Sequence, residues 1–66
     1  MYIEMLIKNL RQQKKMSLKE LSKYSSVSKT HINDIENNLK TPSLLIAILI
    51  AEALKVDITE TYKIYW

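Results

Sequence analysis

An all-α domain of five short helices is what this sequence predicts, on three observations. None of the 66 residues is glycine, so the positive-φ turns on which β-hairpins depend have no ready residue. Apolar residues recur at three- and four-residue spacing through much of the chain. Ser, Thr or Asp stands ahead of several of these runs, where a helix start leaves backbone N–H groups free.

The first helix is expected over about residues 2–14. Ile3, Leu6, Ile7 and Leu10 make its inner stripe, and Lys8, Arg11, Gln12 and Lys15 its outer side. Ser17 followed by Glu20 is a capping box that opens a second helix over about 18–24. Ser25, Ser26 and Val27 interrupt it, and Ser28 caps a third helix over about 29–37, with Ile32 and Ile35 as its apolar positions. Asn38 is suited to close that helix in a left-handed conformation. Thr41 and Pro42 read as N-cap and first residue of a fourth helix reaching about Leu54, with Leu44, Ala47, Ile48, Ala51 and Leu54 as its core stripe. Asp57 and Glu60 open a short fifth helix that takes in Tyr62.

The bulk composition narrows the function. A chain this short buries only about 60% of the surface it exposes unfolded, so it reads as one domain, 1–66, whose core is efficient or shared. No cysteine means no disulfide and no thiolate metal site, and one histidine cannot build a zinc centre; no cofactor or metal is expected. The longest apolar run, Leu44–Ala51, is far short of a membrane span, and residues 1–10 do not resemble a signal peptide, so the expected location is cytoplasmic. Catalysis finds no foothold: the six serines lack a His–Asp arrangement, the carboxylates are scattered, and no glycine loop could cradle a nucleotide. His31 reads as a helix-flank residue with no ligand or pH-sensing role. Net charge is +3, but unevenly spread: residues 1–31 carry seven Lys/Arg against two carboxylates, while 32–66 carry three lysines against five. A basic half beside an acidic half suits an anionic partner docked on one side.

If Ile32 and Ile35 face inward, Lys29, Thr30, Asn33, Asp34 and Asn37 share the opposite side of the third helix. Each ends in a hydrogen-bonding group, and an α-helix fits the major groove of DNA, where base edges carry a readable pattern. Lys29 suits guanine O6 or N7, Asn33 adenine, Asp34 the amino group of cytosine, and Thr30 a thymine methyl or a phosphate. Taken alone, such a stripe is also what any solvated helix shows. Its neighbours favour the groove: a capped helix before it, basic Lys40 after it, and a basic first helix beside it.

The ordered set Leu10-Arg11, Met16-Ser17-Leu18-Lys19-Glu20-Leu21, Val27-Ser28-Lys29, Ile32, Ile35-Glu36-Asn37, Pro42-Ser43-Leu44 and Leu54-Lys55-Val56 resembles the lambda-repressor/Cro-like (XRE-type) helix-turn-helix family. The resemblance implies a compact five-helix DNA-binding domain in which helices 2 and 3 form the helix-turn-helix. It places Lys29, Thr30, Asn33 and Asp34 where the family reads bases. Asn37, Lys40, Thr41 and Ser43 fall where phosphates are held, Ser28 and Lys19 are further phosphate-contact candidates, and Arg11 and Glu36 match a family ion pair. As a surface pair that contact contributes only about 0–1 kcal/mol. Three positions depart from the pattern. Leu18 stands where a phosphate-clamping Gln is common, although the sporulation and biofilm repressor subset shares Ser-Leu there and an Asn-Leu-x-Thr loop. Ser26 stands where the turn commonly has Gly, and Asp34 is acidic where Arg, Lys or Gln is more usual.

Leu45, Ile46 and Leu49 are apolar where related domains are polar, and with Tyr62, Tyr65 and Trp66 they make a candidate homodimer interface. The expected function is therefore a transcriptional repressor that binds an inverted-repeat operator on double-stranded DNA as a homodimer. A competing reading is an antitoxin or protein-interaction module that captures a partner protein.

Overall fold

The computed structural model describes residues 1–66. Four α-helices carry the fold: α1 (Ile7–Gln13), α2 (Leu18–Ser25), α3 (Lys29–Glu36) and α4 (Leu44–Leu54). Two short strands, β1 (Tyr2–Met5) and β2 (Tyr62–Tyr65), pair antiparallel with Tyr2 opposite Tyr65 and Met5 opposite Tyr62.

The capping signals act where the sequence puts them. Ser17 Oγ accepts from Glu20 N–H, and the Glu20 carboxylate accepts from Ser17 N–H, both at 3.0 Å. Ser28 Oγ accepts from His31 N–H at 3.1 Å, which fixes the start of α3. The start of α4 differs from the expectation. Ser43, not Thr41, is the N-cap, its Oγ accepting from Ile46 N–H at 3.2 Å, and Pro42 lies ahead of the helix.

The five-helix expectation fails at both ends of the chain. Residues 2–5 form β1 and not the first turns of a longer α1, and the expected fifth helix is a single 3-10 turn, Ile58–Glu60, after which Tyr62 enters β2. The Asp57–Glu60 capping box is present, and the Thr59 N–H and hydroxyl both donate to Asp57, which lowers the Asp57 pKa. The physical reason for the missed sheet is long-range pairing: strands rich in Tyr and Ile find each other across the whole chain, so no tight turn connects them. Across this ladder the Tyr2 and Tyr65 rings stack with centroids 4.6 Å apart. Tyr65 O–H donates to Glu4 at 2.8 Å, and this bond raises the Tyr65 pKa.

Left-handed residues close the helices even without glycine. Lys15, Asn38 and Lys55 have φ of 55°, 59° and 58°. After each, the next N–H reaches back five residues, Met16 to Arg11 O, Leu39 to Asp34 O and Val56 to Ala51 O, which satisfies carbonyls the helix end leaves free. Ser26, with φ of 62°, makes the sharp turn after α2. A side chain in this region costs about 1–2 kcal/mol. Ser26→Gly is therefore expected to stabilise the fold by about 0.5–1 kcal/mol net of the greater freedom glycine gives the unfolded chain, read as a higher urea midpoint at unchanged slope.

The core is one cluster of Ile7, Leu21, Val27, Ile32, Ile35, Ile50 and Leu54, with Met5, Leu10, Met16 and Leu18 packed around it. Helix α4 is rolled relative to the expected stripe. Ile46, Leu49, Ile50, Ala53 and Leu54 face the core, Ala51 is also buried, and Leu44 and Ile48 are exposed. No helix is long and apolar enough to cross a membrane.

Candidate nucleic-acid interface

The α2–turn–α3 unit is rigidly built. Ser22 hydroxyl donates to Val27 O at 2.6 Å, and Val27 N–H donates to Ser25 Oγ at 3.2 Å, so the turn's own polar groups hold its path. Val27 is buried and anchors the turn to the core, while α2 packs on both α3 and α4.

Ile32 and Ile35 of α3 are both fully buried, at 0% exposure. That sets the roll of the helix and leaves Lys29, Thr30, Asn33 and Asn37 exposed together. Asp34 shares this side but is half-buried, and its carboxylate lies 3.6 Å from Lys40 Nζ in the α3–α4 loop. The sequence reading treats these two as separate contacts; the structure pairs them.

Ser28, Lys19, Thr41 and Ser43 are all exposed. Ser28 and Ser43 use one lone pair each as caps, so their hydroxyl hydrogens are free to be donated outward. Leu18 packs against the core, which explains why no polar group is contributed from that position.

Arg11 and Glu36 are joined in a two-pronged contact, Nε to Oε2 at 2.7 Å and Nη2 to Oε1 at 3.2 Å. Arg11 Nη1 also donates to Met16 O at 2.9 Å. With side-chain exposures of 12% and 3%, this is not the surface pair the sequence suggests. Its desolvation makes each partner dependent on the other. Arg11 thus ties the end of α1 and the α1–α2 turn to the last residue of α3, fixing α3 relative to the basic first half of the chain. The Met16 contact carries no sequence signal, because any residue supplies a carbonyl.

The six residues expected at a dimer interface divide. Ile46 and Leu49 pack against the core, Tyr62 and Tyr65 are half-buried in β2, and Leu45 and Trp66 stand exposed. The exposed apolar surface of α4 is completed by Leu44 and Ile48. No group of His, Asp or Glu is arranged to hold a metal ion.

A family model described as helix-turn-helix matches residues 7–60, from the start of α1 through the 3-10 turn. Both strands lie outside that span. No curated protein matches the chain.

Proposed function

The chain belongs to the helix-turn-helix family of the lambda-repressor/Cro (XRE) type, a family of DNA-binding transcriptional regulators, and from that premise we propose that it is a repressor that binds an inverted-repeat operator as a homodimer. The observation that carries this reading is the inward turn of Ile32 and Ile35, which frees the polar side of α3 for a major groove. In it Lys29, Thr30, Asn33 and Asp34 read base edges. Ser28, Lys19, Asn37, Lys40, Thr41 and Ser43 hold phosphates on either side, and fix the register of α3 without reading sequence. The protein acts in the cytoplasm and without a cofactor.

Selection of bound duplexes from a random pool tests the proposal. Recovery of an inverted repeat with half-sites about 34 Å apart supports it, and recovery of no preferred sequence overturns it. Affinity should also fall steeply with salt, because phosphate neutralisation releases counterions.

The Asp34–Lys40 pair bears on specificity. While Asp34 holds Lys40, one cation is withheld from the phosphates and one anion faces them. Asp34→Asn is expected to raise affinity for random duplex several-fold and to relax the preference at one base pair. Fluorescence anisotropy against operator and scrambled duplexes measures both. A second reading, capture of a partner protein, is favoured by exposed Leu44 and Leu45 on α4. A monomer that ignores DNA would support it.

A further inference from the structure

Strand β2 has one edge paired with β1 and one edge free, and the ladder's phase identifies which groups the free edge offers. Leu6 N–H donates to Thr61 O at 2.8 Å, so hydrogen-bonded pairs fall at Thr61, Lys63 and Tyr65. The N–H and C=O groups of Tyr62 and Ile64 therefore point away from β1. The sheet has only two strands, so each keeps one edge without a strand partner. The edge of β2 is the one that runs into the exposed Trp66.

The same end of the molecule carries surplus apolar surface. A groove of about 200 Å³ runs between sheet and α4, lined mainly by Ile3, Met5, Pro42, Leu44, Ala47 and Tyr62. Leu44 of this lining is 71% exposed, its neighbour Leu45 65%, and Trp66, next after β2, 92%. Ile3, Ile48 and Ile64 are exposed as well, so several large apolar residues are left for a second copy to cover, where a standard-size interface takes roughly 800 Å² from each partner.

We propose that a second copy of this chain adds its β2 antiparallel to this edge, centred on Ile64, so that two sheets become one of four strands and Trp66 of each copy closes over the other's groove. The proposal deepens the homodimer reading above and rests on that part of it. Two-fold symmetry about an axis through the sheet requires facing residues to share a side, so the dyad falls on Lys63 or on Ile64. A dyad on Lys63 sets two ammonium groups face to face, which is destabilising. A dyad on Ile64 avoids this: Ile64 faces its own copy, Lys63 faces Tyr65, and Tyr62 faces Trp66. Residues 62, 64 and 66 are then the hydrogen-bonded positions, matching the outward phase of the free edge. Tyr62 and Ile64 share the side of Ile3 and Met5, as Trp66 does when the strand continues, so Trp66 arrives on the groove side.

The native protein lacks cysteine, which allows a direct test. Ile64→Cys is expected to cross-link to itself under mild oxidation, since facing Cα atoms in such a pair lie within disulfide range, while Thr59→Cys is not. Ile64→Lys is expected to weaken self-association at least 100-fold by sedimentation equilibrium, with the circular dichroism spectrum retained, and Tyr24→Ser to leave it unchanged. Cross-linking at Ile64 with no DNA binding would keep this interface and discard the repressor reading. Operator binding by a dimer that cross-links through Leu45→Cys but not Ile64→Cys would overturn the interface and keep the repressor. A wild-type chain that stays monomeric at high concentration, with and without operator, overturns the proposal outright.

Discussion

Arg11→Ala is expected to lower the melting temperature by more than about 12 °C. The substitution leaves the Glu36 carboxylate, only 3% exposed, without its two-pronged partner, and frees Met16 O as well. Removing one member of a buried ion pair costs about 3–5 kcal/mol, because the remaining charge is stranded in a poor solvent. A domain of this size has only about 3–10 kcal/mol in total, and each kcal/mol moves its midpoint by about 4–8 °C. Arg11→Lys should recover only part of the loss, since an ammonium cannot span both carboxylate oxygens and a carbonyl at once. Replacing both residues by Met should cost less than Arg11→Ala alone, because no charge is then stranded. Thermal and urea unfolding followed by circular dichroism give all three values. A midpoint for Arg11→Ala within about 3 °C of the parent would show that water reaches the pair in solution.

That pair also illustrates what could be read from the sequence and what could not. Its identity is legible through the family resemblance, which pairs Arg11 with Glu36, but its worth is not, because burial depends on how α1 lies against α3. The helix-turn-helix itself is legible because its signals are local: a capping box at Ser17, a cap at Ser28, and a two-residue apolar set in α3 that leaves one choice of inner face. Helix α4 is the opposite case. Its first eight residues, Leu44 to Ala51, are all apolar, so every roll about the axis offers a plausible core stripe and the sequence pattern cannot select one. Contact with α2 decides it, bringing Ile46, Leu49 and Ile50 inward and turning Leu44, Leu45 and Ile48 out.

The strands were illegible for a related reason. Residues 2–7 satisfy a helical spacing, and nothing within ten residues argues against it. Only the pairing of Tyr2 with Tyr65 and Ile3 with Ile64, more than sixty residues apart, overrides that local preference. The absence of glycine misleads in the same way. It disfavours hairpins, yet this ladder has no hairpin turn, and the left-handed positions the fold does need are filled by Lys15, Ser26, Asn38 and Lys55 at some cost in strain.

Lys29→Ala is expected to reduce operator affinity by about 1.5 to 4 orders of magnitude. Lys29 opens α3 on its exposed side, next to the Ser28 cap, so in the proposed complex its ammonium meets a guanine edge in each half-site. One such contact discriminates by about 1–3 kcal/mol, and a symmetric dimer loses it twice, giving about 2–6 kcal/mol. Random duplex offers no matched guanine, so there the loss is confined to one positive charge per half-site, and the ratio of specific to non-specific affinity falls steeply. The two salt dependences separate this from a purely electrostatic role. If Lys29 reads a base, operator affinity falls while the slope of log K against log salt changes little; if it only touches phosphate, operator and random duplex weaken alike and the slope drops by about 1 per lysine. Asn33→Ala, which alters no charge, should leave the slope untouched and relax selection at a single adenine. An unchanged slope with unchanged operator affinity in both variants would mean that the polar side of α3 faces water in the complex, and the groove-reading assignment would fall with it.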